Sequence, residues 1–217
     1  MIQGAVFDFD GTLFDSMHLW QTLGENYLRS LGKEPRPDLQ TAVSDMSMER
    51  AVLYFQTEYD IPLSAQEIIS GINRIIEDQY FYNIQPKSGV KDFLEKLKNQ
   101  NVNMCIATAN DRYLVEAALK RCDMIRFFRK IFTSSETGRG KDRPDIFRKA
   151  QKCLKTDNVI VFEDAYYAAK TAKEDGFRVV GVYDKYEKKT GKLKDLADFY
   201  LGDFNDTESF WEFASEL

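Results

Sequence analysis

Apolar residues recur along this chain in two different rhythms. Residues 4–9, GAVFDF, form a dense apolar run closed by Gly11, and this predicts a short buried strand. From about residue 15 to residue 82 the spacing becomes helical, with no convincing strand. Asp15 or Ser16 can cap a first helix through Trp20, Leu23, Tyr27 and Leu28, stopping near Gly32. A second helix is expected over about 47–59, carrying Ala51, Val52 and Phe55. A third opens with Ser64-Ala-Gln-Glu67, a capping box, and then sets Ile68, Ile69, Ile72, Ile75 and Ile76 at the spacing of one helical face.

From Pro86 onward, strands and helices alternate. A helix through Val90, Phe93, Leu94 and Leu97 leads into a strand over 102–107. A helix with Leu114, Val115, Ala118 and Leu119 precedes a short strand at 131–133. Pro144 suits the first turn of a helix bearing Ile146, Phe147 and Ala150. Strand 159–162, a helix ending at Gly176, strand 178–182 and a last strand near Phe199 complete the series. Strands separated by helices imply right-handed crossovers in a parallel sheet. The expected fold is therefore α/β, a Rossmann-like parallel sheet with helices on both faces. Residues 1–14 and 84–217 would form this core, and 15–83 an inserted α-helical domain. No internal repeat or low-complexity segment interrupts the pattern.

Composition narrows the function classes. The 217 residues suffice for one large domain, or for a core carrying a smaller insert. With 43% hydrophobic and 30% charged residues the chain is an ordinary folded protein rather than a disordered one. A net charge of -5 offers no reason to expect nucleic acid or an anionic membrane as partner. No window of about 18 apolar residues could span a bilayer, and the start MIQGAVFDFD lacks the basic and apolar order of a secretory signal. Cys105, Cys122 and Cys153 lack C-x-x-C spacing and are expected to be free thiols in a reducing cytoplasm. A monomer or a weak homodimer is expected.

Candidate chemistry gathers where each strand ends. Ligands of open parallel sheets collect beyond the carboxyl ends of the strands. The first strand delivers Asp8, Asp10, Gly11 and Thr12, and the next, VNMCIATAND, delivers Thr108 and Asn110. GRGKDRPDIF brings Lys141, and VIVF runs straight into Glu163 and Asp164. Asp8 and Asp10 pose a puzzle of their own. In an extended backbone both point to one face, and such like charges need a cation, a shared proton or a turn into water.

D-x-D-G-T after the first strand, Thr after the second, Lys before PDIF and Glu-Asp after a later strand resemble the four signatures of the haloacid dehalogenase superfamily. The similarity extends to the phosphatase and phosphoglucomutase branch, whose helical cap follows the first signature. This resemblance implies that Asp8 attacks a phosphomonoester to form an aspartyl-phosphate, and that Asp10 acts as general acid and then base. It implies Mg2+ held by the Asp8 carboxylate, the Asp10 backbone carbonyl and Asp164, with Glu163 a further contributor. Thr108 and Lys141 would hold the phosphate oxygens, with backbone amides around Gly11 and Asn110 adding a cradle.

A small phosphorylated metabolite is the implied substrate. His18, Trp20 and Arg50 are the candidates for its pocket, Arg50 being the one basic residue of the stretch DMSMERA. Trp20 stands where mutase relatives carry histidine. Ala165 and Ala168 replace the Ser and Gly common after the fourth signature. A phosphosugar mutase and a non-catalytic phosphate or metal sensor are the alternatives, while retention of Asp10 argues against a dehalogenase.

Overall fold

The computed structural model describes residues 2–43 and 46–217, so Met1, Ser44 and Asp45, the last being the first residue of DMSMERA, lie outside the described residues. The chain divides into two compact units. The first comprises Met1–Ser16 with Ile84–Leu217, and the second is Met17–Asn83.

The first unit is built on six parallel strands. These are β1 (Gly4–Phe7), β2 (Asn103–Thr108), β3 (Phe128–Thr133), β4 (Val159–Glu163), β5 (Arg178–Val182) and β6 (Phe199–Leu201). They lie in the order β3-β2-β1-β4-β5-β6. β1 is central because its four residues are all buried, and Phe7 sits between Ile106 of β2 and Phe162 of β4. Alternation along β1 sends neighbours to opposite faces. Val6 joins Cys105, Val161 and Val179 under Ile146, Phe147, Ala150 and Ala168. Phe7 faces the other way, stacked on Phe162 at 4.3 Å and edge-on to Phe93, which in turn meets Phe210 at 5.1 Å. Both faces are thus covered, as a parallel sheet requires.

Every regular element of the second unit among the described residues is helical. It contains α1 (Met17–Ser30), α2 (Leu39–Val43), α3 (Met48–Glu58) and α4 (Ala65–Asp78), followed by one π-helical turn over Gln79–Asn83. The capping box forms as its residues predict. Ser64 accepts from the Glu67 backbone, and the Glu67 carboxylate accepts from the Ser64 backbone at 2.8 Å. Ile68, Ile72 and Ile76 then face inward.

The later helices of the first unit are α5 (Val90–Asn99), α6 (Arg112–Arg121), α7 (Ser134–Thr137), α8 (Asp145–Leu154), α9 (Tyr166–Glu174), α10 (Thr190–Leu196) and α11 (Glu208–Ser215). Among the described residues no helix is long and apolar enough to cross a membrane. β1 stops two residues earlier than expected, and β3 starts three residues earlier. Arg129 and Lys130 are exposed on β3, an edge strand, so no apolar run marks its beginning.

Candidate active site

The early end of β1 creates the site. Asp8 still donates its backbone N–H to Phe162 O of β4, at 3.0 Å, but the ladder goes no further. Gly11 takes a left-handed φ of 80°, and the N–H groups of Leu13 and Phe14 both turn back onto Phe9 O. Asp8 therefore lies just past the strand and Asp10 at the start of a turn. The two-residue alternation that would align them stops at Phe7.

Their carboxylates meet different partners. Lys141, on the loop before α8, is buried and donates Nζ to Asp8 Oδ1 and to Glu163 Oε1, the latter at 2.6 Å. An ammonium therefore faces Asp8. Burial by itself would push this amine down, but the Asp8 and Glu163 carboxylates outweigh it and hold Lys141 above its ordinary range. Asp8, Glu163 and Asp164 are all buried and offer ligand oxygens within 4.8 Å of one another.

Such crowding has a cost, visible in the protonation of the cluster. Burial, more than any neighbour, pushes Glu163 up to about 8; Lys141 pulls it down, whereas Asp8 adds to the rise. Asp164 is raised well above the usual carboxylate range, first by burial and then by Asp8 and Glu163, with Thr12 and Lys87 opposing. Glu163 Oε2 is buried without a hydrogen-bond partner. One ammonium among three buried carboxylates, with an orphaned oxygen, is a donor set short of positive charge. An all-oxygen set of this kind suits a hard divalent cation.

Asp10 stands apart from this cluster. Its Oδ1 accepts from Ser16 Oγ at 2.6 Å, and its Oδ2 from Asn110 Nδ2 at 3.0 Å. Asn110 is fixed in turn, since its own Oδ1 accepts the Asp111 N–H at 2.8 Å. The amides expected in a phosphate cradle are differently employed. Asn110 N–H donates to Thr108 Oγ1 at 3.0 Å, and Gly11 N–H to Phe14 O at 2.9 Å, because the tight turns at both strand ends consume these donors. Thr108 itself is fully buried at the end of β2.

After β4, Thr12 locks the other end of the cluster. Its hydroxyl donates to Asp164 Oδ1 at 2.8 Å and accepts the Asp164 N–H at 3.0 Å. Ala165 offers no side-chain cap to α9, and Glu187 instead accepts the Tyr166 N–H at 3.1 Å. Tyr167, half exposed in the first turn of α9, senses the same charges. Its phenol is pushed up to about 12, first by partial burial and then by Glu163, with Asp8 and Asp164 adding and Lys141 opposing.

The sequence marks Asp15 or Ser16 only as a helix cap and singles out nothing at Tyr167. For Ser16 the Asp-Ser following the first signature was a usable signal; for Tyr167 there was none. The three pocket candidates belong to the second unit. His18 and Arg50 are exposed, and half-buried Trp20 lies edge-on to Tyr80 at 6.4 Å.

A parallel sheet whose carboxyl edge presents these carboxylates around a lysine defines a class. Residues 5–182 match the haloacid dehalogenase-like hydrolases, and the chain belongs to that family. Among its relatives, a Drosophila melanogaster protein named "Probable pseudouridine-5'-phosphatase" is 30% identical over 209 residues, 90% of each chain. A Thermotoga maritima "Phosphorylated carbohydrates phosphatase" is 22% identical, over 83% of this chain and 85% of its own. In fold, a Thermotoga maritima structure described as "putative beta-phosphoglucomutase" aligns with a TM-score of 0.85 at 20% identity, covering 98% of this chain and 99% of its own.

Proposed function

We propose that this hydrolase is a phosphatase acting on a small phosphorylated metabolite, with Asp8 as nucleophile. The observation that carries the reading is the separation of the two aspartates. Asp8 is gathered with Lys141, Glu163 and Asp164, while Asp10, two residues on, is held outside by Ser16 and Asn110. One carboxylate is thus set for attack and the other for proton transfer.

In the first step an Asp8 oxygen bonds to phosphorus and the ester P–O bond breaks. The departing oxygen takes a proton from Asp10. In the second, water gives a proton back to Asp10 as its oxygen attacks phosphorus. The bond between phosphorus and the Asp8 oxygen then breaks, freeing phosphate and restoring the carboxylate. Lys141, already against Asp8, is positioned to hold a phosphate oxygen, and Thr108 is a second candidate for that task. Asp8, Asp164 and Glu163 are the residues proposed to hold Mg2+, with the Asp10 backbone carbonyl. When bound, the cation supplies positive charge to the carboxylates and to the phosphate oxygens.

The test is phosphate release from a panel of phosphometabolites at fixed Mg2+, repeated after chelation. The fly relative's name puts nucleoside 5'-phosphates, pseudouridine 5'-phosphate among them, at the head of the panel. Release that stops on chelation is the expected result. Conversion of a bisphosphorylated sugar to an isomer without free phosphate would transfer the chain to the mutases. Phosphate binding with no turnover of any substrate would make it a sensor.

A further inference from the structure

Lys87 and Asp184 form a second ion pair within the first unit, and the proposed phosphatase chemistry makes no use of it. Asp184 stands two residues beyond the end of β5 with its side chain buried, and its Oδ2 lies 3.1 Å from Lys87 Nζ. Its other oxygen, Oδ1, accepts the Tyr186 N–H at 2.9 Å. Lys87 also donates Nζ to Tyr183 O at 2.6 Å. The lysine is engaged at both ends, because its backbone N–H donates to Leu13 O at 2.9 Å.

That last bond reaches the turn that follows β1. Gln85 O accepts the Asp15 N–H at 3.0 Å, and Phe14 pairs with Pro86 in an isolated antiparallel bridge. Residues 13–15, the outer limb of the turn, are thus bonded to segment 85–87. Ser16, next to Asp15, donates to Asp10 Oδ1 at 2.6 Å, and Thr12, next to Leu13, donates to Asp164 Oδ1. Segment 85–87 needs an anchor of its own. Arg121 donates to Ile84 O before it, and Ser88 donates to Asn205 Oδ1 at 3.4 Å after it. Within the segment, the charged anchor is Lys87 on Asp184.

A buried ion pair adds little stability over apolar side chains of similar volume; what it can add is a fixed geometry. We infer that Asp184 and Lys87 are positioning residues for the proposed reaction. They form a strut from the end of β5, through segment 85–87, to the turn that presents the Asp10 carboxylate. This inference rests on the phosphatase reading, with Asp10 as the proton donor. In this role neither side chain touches substrate. The strut keeps Ser16 and Asp10 in place, so that the proton reaches the departing oxygen along a productive path.

The test compares two esters on the full chain with Mg2+ present. One is an alkyl phosphate that the wild type hydrolyses, uridine 5'-phosphate being the first choice, whose alkoxide needs a proton to leave. The other is 2,4-dinitrophenyl phosphate, whose phenolate leaves without one. Asp184→Asn keeps shape and leaves the Lys87 charge in place. The double variant Lys87→Met with Asp184→Leu removes both charges and orphans neither. For each, kcat/KM should fall roughly tenfold or more on the alkyl ester and less than about threefold on the aryl ester. Amide exchange of residues 11–15 should quicken in both variants while β4 stays protected, a readout that needs no turnover. Equal losses on the two esters would show a merely structural role and overturn the inference. So would unchanged exchange in the turn, or wild-type kinetics in the double variant. A wild type inactive on every ester would instead overturn the phosphatase reading, and with it the catalytic role given to the pair.

Discussion

The two compact units fill their interiors in opposite ways. In Met17–Asn83, every buried side chain among the described residues is aliphatic or aromatic, and the Tyr27 hydroxyl is buried there without a hydrogen-bond partner. In the other unit, Asp8, Lys141, Glu163, Asp164 and Asp184 are buried alongside Thr12, Ser16, Thr108, Thr133 and Thr207. Burying charge is costly unless it is paired, and even a pair seldom out-stabilises a well-packed apolar substitute. Three carboxylates around one lysine make this interior the place to test for chemistry, whereas the helical unit is held together by amphipathic faces and local caps.

Breaking the charged interior should produce the largest effects. Asp8→Asn preserves shape but removes the proposed nucleophile. Turnover in a phosphate-release assay should fall by roughly a thousandfold or more, with cooperative unfolding retained. Near-normal activity in that variant would move the nucleophile elsewhere.

Lys141→Met sharpens the contrast between the units. It leaves Asp8 and Glu163 buried without their ammonium, and breaking a buried pair from one side typically costs ~3–5 kcal/mol. Denaturant unfolding should show this loss in the cation-free protein, and Mg2+ should recover part of it by binding only the folded state. Arg36→Met, which removes the exposed pair with Glu58 at 2.7 Å in the helical unit, should leave the midpoint essentially unchanged. Equal responses from the two variants would erase the distinction.

The sequence's legibility follows the same division. Strands 159–162 and 178–182 declare themselves because Val159–Phe162 and Val179–Val182 are buried and read as continuous apolar runs. The Ser64–Glu67 box was legible because capping is local. The edge strand β3 was read short because Lys130, lying over the Phe132 ring at 5.1 Å, hides its first half behind charge. The final helix, Glu208–Ser215, went unrecognised: eight residues containing Phe210, Trp211 and Phe213 show too little periodicity to separate helix from loop. At the site, the residues were visible as motifs but their pairings were not. Asn110 meets Asp10 across 100 positions of sequence, and the turn that swings Asp10 away from Asp8 depends on the left-handed Gly11.

Those pairings give a prediction of intermediate size. Ser16→Ala and Asn110→Ala each remove one donor from the Asp10 carboxylate. Hydrogen bonds to charged groups are worth ~1.5–3 kcal/mol, so each variant should lose about tenfold or more in kcat, provided Asp10 is the proton-transfer group. Both residues act through Asp10, so KM should change little. In an Asp10→Asn background, removing either donor should cost much less than in the wild type, which a double-mutant cycle would reveal. Full additivity would mean that the two donors do not act through Asp10.

The smallest effect belongs to the helical unit and tests whether its stability is as local as its interior suggests. Ser64 Oγ accepts the Glu67 N–H at the start of α4, while Glu67 returns the bond to the Ser64 backbone. Ser64→Ala removes the acceptor for one otherwise unsatisfied amide, a change typically worth ~1 kcal/mol. The inward stripe of Ile68, Ile72 and Ile76 is untouched, so only the midpoint of thermal or urea unfolding should move, and kcat should not. A loss of turnover as large as that from Ser16→Ala would mean that the helical unit's local stability feeds directly into catalysis, and that the two interiors are not separable.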